Sequence, residues 1–465
     1  DFDETIDDFS LASIALSLKA ISMNSTLLDT YGASDRLLFS ENDYRNPSNS
    51  KVISALQELM CDKDFCTLYS LFMLALARKE LSTCSFRLFI GEKPNITPVM
   101  NEDLSTETTK DELKEAFVDE WGVKYSKDGR KLLEAPQELD LTYSIRKGTK
   151  VVCDRAFCCC YTLSEIVIPS SVTSIGDRAF SSCVSLKYIS IPKSVICLNG
   201  NPFAEWNGKL ECLSPNFVFE DDILFNKDKS RIISFRNQNI KSYVIPSSVT
   251  SIGDLAFYSC RSLSEIVIPS SVTSIGKCAF SCCYSLSEIV IPYSVTSIGN
   301  YAFSRCDSLS GIVIPSSVTS IGNYAFSSCD SLSGIVIPSS VTSIGDSAFS
   351  FCRSLSEIVI PSSVTSIGDS AFSFCHSLSE IVIPSSVTSI GKCAFSGCDS
   401  LSEIVIPYSV TSIGDRAFSS CSSLSEIVIP YSVTSIGDRA FCGCSSLKYI
   451  SCLLYTSDAA DERSS

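Results

Sequence analysis

The chain has very little of what most enzymes and nucleic-acid-binding proteins need. Of its 465 residues, one is histidine and two are tryptophan. The single His376 occupies a repeat position where neighbouring repeats carry Arg or Asp, which is a weak basis for a Ser-His-Asp or Cys-His site. A net charge of −15 leaves no basic surplus for nucleic acid or an anionic membrane. We therefore expect a protein that is not an enzyme and binds no nucleic acid.

Long apolar runs are also missing. No segment approaches the roughly 18 apolar residues that span a bilayer, and the longest, Cys66 to Ala77, fits a buried helix better. The chain begins at Asp1 without an initiator Met or a signal-peptide pattern, so we expect a fragment or a processed form. It has no phosphate-binding glycine loop and no paired cysteine motifs at zinc-finger spacing, so we expect neither cofactor nor metal.

Cysteine, in contrast, is abundant, with 24 residues. Eleven of them occupy one column of a repeat: Cys160, Cys183, Cys260, Cys283, Cys306, Cys329, Cys352, Cys375, Cys398, Cys421 and Cys444. A shared column predicts a shared role, a small buried side chain whose thiol meets a backbone group in each coil. Stacked coils would bring the Cα atoms about 4.8 Å apart, within disulfide range. Parallel side chains are nevertheless badly aimed for pairing, so we predict a ladder of free thiols.

The repeat itself is a 23-residue unit, typified by Leu355 to Ser377, LSEIVIPSSVTSIGDSAFSFCHS. Its register holds without a slip from Ile240 through nine complete units and a partial one. Within a unit, alternation along a strand puts Ile358 and Ile360 on one face, and Pro361 ends that strand. One unit cannot bury enough apolar surface alone, so the units must stack and pair their strands in a parallel sheet. The sequence predicts a right-handed, mostly β solenoid.

The regions outside the array suggest how the chain is divided. Residues 1–100 show apolar spacing typical of helices. Near 101–115 we place an acidic linker, and Lys127-Asp128-Gly129 predicts the turn of a hairpin that caps the array. The predicted organisation is a helical region 1–100, linker and capping hairpin 101–139, first repeats 140–198, a non-repeat insertion with short strands 199–239, the main repeats 240–452, and a probable non-native tail 453–465.

The pattern LxxIxIPxxVxxIGxxAFxxC resembles the short, Treponema-type leucine-rich repeats of BspA-like surface proteins over residues 121–452. The interrupting segment that begins NPFAEWNGKL at Asn201 is also similar to one in that family. The resemblance implies a leucine-rich repeat solenoid and an extracellular, adhesin-like protein of a bacterium or of a parasitic or commensal protist. It further implies binding to host matrix proteins or to other cells.

Two columns of the front strand point away from the expected core, and together with three tyrosines at turn positions they are the candidate protein-binding face. They are a glutamate column (Glu265, Glu288, Glu357, Glu380, Glu403), a valine column (Val267, Val290, Val313, Val336, Val359, Val382, Val405) and the tyrosines Tyr293, Tyr408 and Tyr431. A stripe of exposed valine fits a binding surface, although β-branched residues also simply suit a sheet. The closely spaced glutamates predict raised pKa values or calcium binding. Alternatively, water solvates the carboxylates and they simply repel one another. The turn residues vary from repeat to repeat, either because nothing packs against them or because they form a recognition surface.

These features favour a non-enzymatic solenoid that binds protein at the cell surface or after secretion. One alternative is an intracellular scaffold, which suits many reduced cysteines. Another treats residues 1–100 as an enzymatic or effector domain displayed on the repeats, although no catalytic constellation supports it.

Overall fold

The computed structural model describes residues 16–33, 38–40, 43, 50–57, 59, 65, 69, 105–139 and 141–452. The chain forms two compact units, residues 1–103 and residues 104–465. The expected tail, 453–465, lies outside the described residues.

The first unit contains helical segments around a small apolar core. The described part includes the helices Thr26–Tyr31 and Lys51–Gln57, and residues 16–23 are also helical. Side chains from all of these pack together, including the fully buried Leu16 and Leu56. The expectation of helices before residue 100 is met in this described part.

In the second unit each 23-residue repeat is one coil of a β-solenoid, which confirms the predicted fold. The residues Glu357–Val359 form a front strand, and Ser343–Ile344 form a two-residue side strand in the preceding coil. The front strands are Thr142–Ser144, Glu165–Val167, Tyr188–Ile191, Lys209–Cys212, Ser242–Val244, Glu265–Val267, Glu288–Val290, Gly311–Val313, Gly334–Val336, Glu357–Val359, Glu426–Ile429 and Tyr449–Cys452. The side strands are Val151–Val152, Ser174–Ile175, Cys197–Leu198, Ser251–Ile252, Ser274–Ile275, Ser297–Ile298, Ser320–Ile321, Ser343–Ile344, Ser389–Ile390, Ser412–Ile413 and Ser435–Ile436. Both rows pair in parallel.

The third side of each coil is a series of tight turns, here called the turn side. Its backbone amides bond from coil to coil: the amide of Phe349 donates to the carbonyl of Ala371 at 2.9 Å, and that of Phe351 to Ser373 at 2.8 Å. Ser370 and Phe374 both adopt a positive φ, near +56° and +60°. This conformation is strained for L-residues. The regular hydrogen bonds between coils therefore stabilise the turn.

Side-chain acceptors on the turn side add a second ladder. The Oδ1 atom of Asp346 accepts from the amide of Asp369 at 2.9 Å, and Asp369 accepts in turn from the amide of Lys392 at 2.7 Å. The adjoining glycine column lets the coils approach this closely. A Cβ on Gly368 would lie 2.8 Å from the amide nitrogen of Asp346, so this glycine is required by the contact between coils.

The core is a stack of identical layers. Each layer contributes one phenylalanine, and successive rings lie nearly parallel, with centroids 5.4 Å apart for Phe303 and Phe326 and 5.6 Å for Phe349 and Phe372. Stacked aromatic rings contribute beyond the area they bury. Because every layer repeats the same packing, the interior of the main array forms one continuous apolar cluster from Ile223 to Ala440.

An antiparallel hairpin begins the solenoid, where the sequence predicted a cap. Strand Lys124–Tyr125 pairs antiparallel with Phe117–Val118 and with Lys131–Glu134, and the last of these pairs in parallel with the first side strand. The segment expected as a linker near 101–115 contains the helix Lys110–Glu115. In that segment Thr106 is buried, and its hydroxyl accepts from Nδ2 of Asn199 at 2.8 Å.

The insertion forms a second cap of the same kind. Strands Phe217–Glu220, Ile223–Asn226 and Arg231–Phe235 form an antiparallel meander, and the third strand pairs in parallel with the side strand Ser251–Ile252. Residues 126–133, SKDGRKLL, correspond to residues 226–233, NKDKSRII. Each of the two blocks of repeats therefore begins with a similar set of antiparallel strands.

The meander separates two apolar cores. Its alternating side chains are divided between them: Leu224 and Ile233 pack with the first repeats, whereas Phe225 and Ile232 pack with the main array. Nearby, Trp206 is buried, and its Nε1 donates to the carbonyl of Leu186 at 2.6 Å. The insertion is thus a structural partition between two blocks of repeats.

Candidate protein-binding face

The front strands place equivalent residues of successive coils side by side. Ile266 is opposite Ile289, and Val267 is opposite Val290. In the coils beyond Val359 the pairing narrows to single parallel bridges, which join Val359 to Val382, Val382 to Val405, and Val405 to Val428. The valine column expected from the sequence is therefore continuous in space across the main array.

These valines point to solvent. Their exposed fraction runs from 41% at Val428 to 76% at Val382 and Val405, while the isoleucines on either side of each valine are buried. Alternation along the strand explains this difference, because neighbouring residues face opposite sides of the sheet. The result is an apolar stripe that runs the length of the front sheet, an unusual surface for a soluble chain.

The glutamate column lies beside the valines on the same face and is also exposed. It is interrupted at Gly311 and Gly334, in the coils that carry Val313 and Val336. A Cβ on Gly311 would meet nothing within 4 Å, and one on Gly334 only a carbonyl at 3.8 Å. Packing therefore does not require glycine at either position. Its presence leaves the middle of the face apolar and uncharged, with carboxylates towards both ends.

The three candidate tyrosines follow the front strands directly after a proline, and all are exposed. The structure brings two of them together, since the rings of Tyr408 and Tyr431 lie 5.7 Å apart at 43°. Tyr293 is separate from this pair, because its neighbours in the column are Ser270 and Ser316. The tyrosines thus contribute at two places along the array.

The cysteine column lies inside the coil. The Sγ of Cys375 donates to the carbonyl of Phe349 in the preceding coil at 3.1 Å, and the same bond recurs from Cys283 through Cys444 at 3.0 to 3.2 Å. Burial raises the pKa of the Cys352 and Cys421 thiols to about 12. Every cysteine from Cys153 to Cys444 is a free thiol. The geometry places these thiols, when protonated, as hydrogen-bond donors between successive coils.

Other chemistry is sparse in the described part of the chain. His376 lies between coils, with Nδ1 2.8 Å from Oδ2 of Asp399, and both side chains are partly exposed. No group of three or more His, Cys, Asp or Glu residues there is arranged to hold a metal ion. Among the same residues, no helix is both long and apolar enough to cross a membrane.

Comparison with known proteins places this architecture in a family. The model for the BspA type leucine rich repeat region matches residues 142–217, 231–356 and 342–455 in six copies. A leucine rich cell surface protein from Faecalibacterium prausnitzii is 27% identical, with a TM-score of 0.46 over 77% of this chain and 98% of that one. A leucine-rich repeat protein from Bacteroides ovatus is also 27% identical, with a TM-score of 0.42 over 72% and 91%. The T. pallidum leucine rich repeat protein is 28% identical, with a TM-score of 0.34 over 50% and 88%.

No functionally curated protein matches the chain. The family model, however, covers well over half of its length, and the described repeats form the solenoid that such a model implies. The resemblance inferred from the repeat pattern is confirmed: the chain belongs to the BspA-type leucine-rich repeat family.

Proposed function

We propose that this chain is a non-enzymatic, protein-binding solenoid of a cell surface or secreted protein, and that its front face contacts host matrix proteins or other cells. The observation that carries the proposal is the exposed valine column, continuous from coil to coil. Such an apolar stripe supplies buried area on binding, and the flanking glutamates supply a charged rim. Membership of a family with cell surface relatives supports the location.

The proposed contact centres on Val313 and Val336. They are 69% and 72% exposed, and the glutamate column is absent in their coils. Desolvating a carboxylate is costly, so the uncharged middle of the face is the part a partner can cover most easily. Val290 and Val359 extend the patch by one coil in each direction.

The cysteines are compatible with an oxidising surface environment. The thiolate is the form that reacts, and burial disfavours it, so the ladder thiols resist oxidation. For that reason, free thiols do not favour the intracellular scaffold over the surface protein. Material recovered from the cell exterior with the ladder cysteines still reduced would agree with this reasoning.

The test compares two triple variants of the full chain. Val313→Glu, Val336→Glu and Val359→Glu place charges on the front patch. Thr319→Glu, Thr342→Glu and Thr365→Glu place the same charges on exposed positions of the same coils but outside the front strands. Surface plasmon resonance against fibronectin and fibrinogen should show saturable binding that the valine variant loses and the threonine variant keeps. Equal binding by both variants would refute the assigned face, and no saturable binding by the unmodified chain would count against adhesion to these matrix proteins.

A further inference from the structure

The turn side carries a groove that lies apart from the glutamate, valine and cysteine columns. It has a cavity of about 400 Å³ that crosses four coils, with residues from three turn columns as its lining. Its floor consists of buried serines, one from each coil: Ser304, Ser327, Ser350 and Ser373. With a coil spacing of about 4.8 Å, this floor is about 14 Å long. Both length and volume suit a small extended ligand.

Two pairs of aromatic rings line the groove on opposite walls. On one wall Tyr301 and Tyr324 are stacked, with centroids 4.5 Å apart and planes 3° from parallel. On the other wall Phe351 and Phe374 are stacked at 4.8 Å and 15°. The two pairs are offset along the solenoid, because the tyrosines belong to the first two coils of the groove and the phenylalanines to the last two.

Each stack ends at a serine, which leaves one ring face uncovered. Tyr301 covers one face of Tyr324, and the next residue in that column is Ser347, whose side chain is too small to cover the other face. Likewise Phe374 covers one face of Phe351, and the preceding residue in that column is Ser328. Tyr324 and Phe351 remain 36% and 39% exposed despite their stacked partners. The groove therefore offers one open aromatic face on each wall.

The floor also offers an unused hydroxyl. Ser327 and Ser350 bond to each other at 2.9 Å, and Ser373 donates to the carbonyl of Ser396 at 3.2 Å. Ser304 is only 7% exposed and lines the groove, yet its hydroxyl has no hydrogen-bond partner within the described structure. The Ser304 oxygen remains accessible from the groove, so a ligand hydroxyl there can form a hydrogen bond with it.

We propose that this groove binds a neutral oligosaccharide, with sugar rings stacked on Tyr324 and Phe351 and sugar hydroxyls bonded to the serine floor. Pyranose rings present flat apolar C–H faces and a rim of hydroxyls, which is the combination that these walls and this floor complement. The site lies on the turn side and is independent of the proposed front-face contact with protein.

Other ligand classes fit the groove less well. An added peptide strand would need free backbone donors, but the amides of Tyr324, Ser328 and Phe351 already donate to the next coil. An anionic ligand would need positive charge, and Arg305 is the one charged residue among those lining the groove. A lipid chain would cover the Ser304 hydroxyl without offering it a polar partner. The neutral sugar is the class that satisfies both the rings and the hydroxyls.

The test titrates the full chain with cellotetraose, maltotetraose and chitotetraose by isothermal calorimetry, with saturation-transfer NMR to map the bound rings. At least one sugar should bind saturably in the millimolar range or tighter. The double variant Tyr324→Ser and Phe351→Ser should weaken binding by about tenfold for each ring lost. Serine already occupies both columns in neighbouring coils, so the fold tolerates the change. Tyr293→Ser is the matched control, because it makes the same substitution outside the groove and should leave the affinity unchanged.

A second variant removes no ring. The double variant Ser347→Tyr and Ser370→Tyr continues the tyrosine stack to the last coil of the groove and leaves no open tyrosine face within it, so sugar binding should fall even though aromatic residues have been added. The proposal is overturned if none of the three sugars saturates. It is also overturned if either groove variant binds as tightly as Tyr293→Ser.

Discussion

The acceptor ladder on the turn side is interrupted at Lys392, and we predict that Lys392→Asn repairs it. Asp369 accepts from the amide of Lys392 at 2.7 Å, but lysine offers no acceptor to the amide of Asp415 in the next coil. Asn323 shows that an asparagine performs this role, since its Oδ1 accepts from the amide of Asp346 at 2.9 Å. Asparagine is preferable to aspartate, because a third carboxylate between Asp369 and Asp415 would be repelled by both.

The expected gain follows from one additional hydrogen bond. A bond of this kind contributes about 0.5–1.5 kcal/mol net, equivalent to a roughly twofold to tenfold slower opening of the rung. Hydrogen–deuterium exchange of the Asp415 amide, read by mass spectrometry on a peptide that contains it, measures this locally. Lys392→Ala is the control, because it removes the same charge and stem without adding an acceptor.

The comparison between the two variants isolates the hydrogen bond. The Asp415 amide should exchange more slowly in Lys392→Asn than in Lys392→Ala, and Asn323→Ala should speed exchange of the Asp346 amide, whose acceptor it removes. Equal exchange at Asp415 in the two Lys392 variants would show that the ladder contributes nothing to the stacking of coils.

Three further predictions concern the coil. Gly368→Ala should destabilise the chain to urea by about 1–3 kcal/mol, because its Cβ would lie 2.8 Å from the backbone of Asp346; an unchanged midpoint would contradict the close contact. Iodoacetamide should label the exposed Cys197 and Cys442 in the native chain and reach the buried Cys375 only after denaturation, as peptide mass spectrometry would show; rapid native labelling of Cys375 would count against the thiol ladder. Stability should fall as the pH rises from about 9 to about 12, because burial raises the pKa of Cys352 and Cys421 and the thiols of the unfolded chain ionise first. Replacing both cysteines with Ala should reduce this dependence of the melting temperature on pH, measured by circular dichroism. An unchanged dependence would refute the prediction.

Much of the coil could be predicted from local rules. Proline after Ile360 ends the front strand, and alternation along the strand predicts that Ile358 and Ile360 face inward while Val359 faces out. The structure agrees, with both isoleucines 5% exposed and Val359 66% exposed. These features depend on residues within one unit, which is why one unit was enough to predict them.

Features that join different coils were harder to predict. The column containing Asp369 reads as a variable mixture of Asp, Asn and Lys, and its function depends on an amide 23 residues away. The second cap did leave a signal, because Lys227-Asp228 repeats Lys127-Asp128, but the glycine of the first turn is replaced by Lys229. The groove likewise exists only because ring pairs from two columns stand on opposite walls after folding.

The departures from the repeat converge on the same coils. The units that begin at Leu309 and Leu332 carry Gly311 and Gly334 on the front face, and they also carry Tyr324 and Phe351 on the turn side. Neither departure is required by the coil: open space surrounds a Cβ at Gly311, and serine occurs in both turn columns in neighbouring coils. An array built for stacking alone needs no special coil. Two of the four groove coils therefore depart from the repeat on both surfaces while their core is unchanged, which supports our proposals that ligands bind at these central coils.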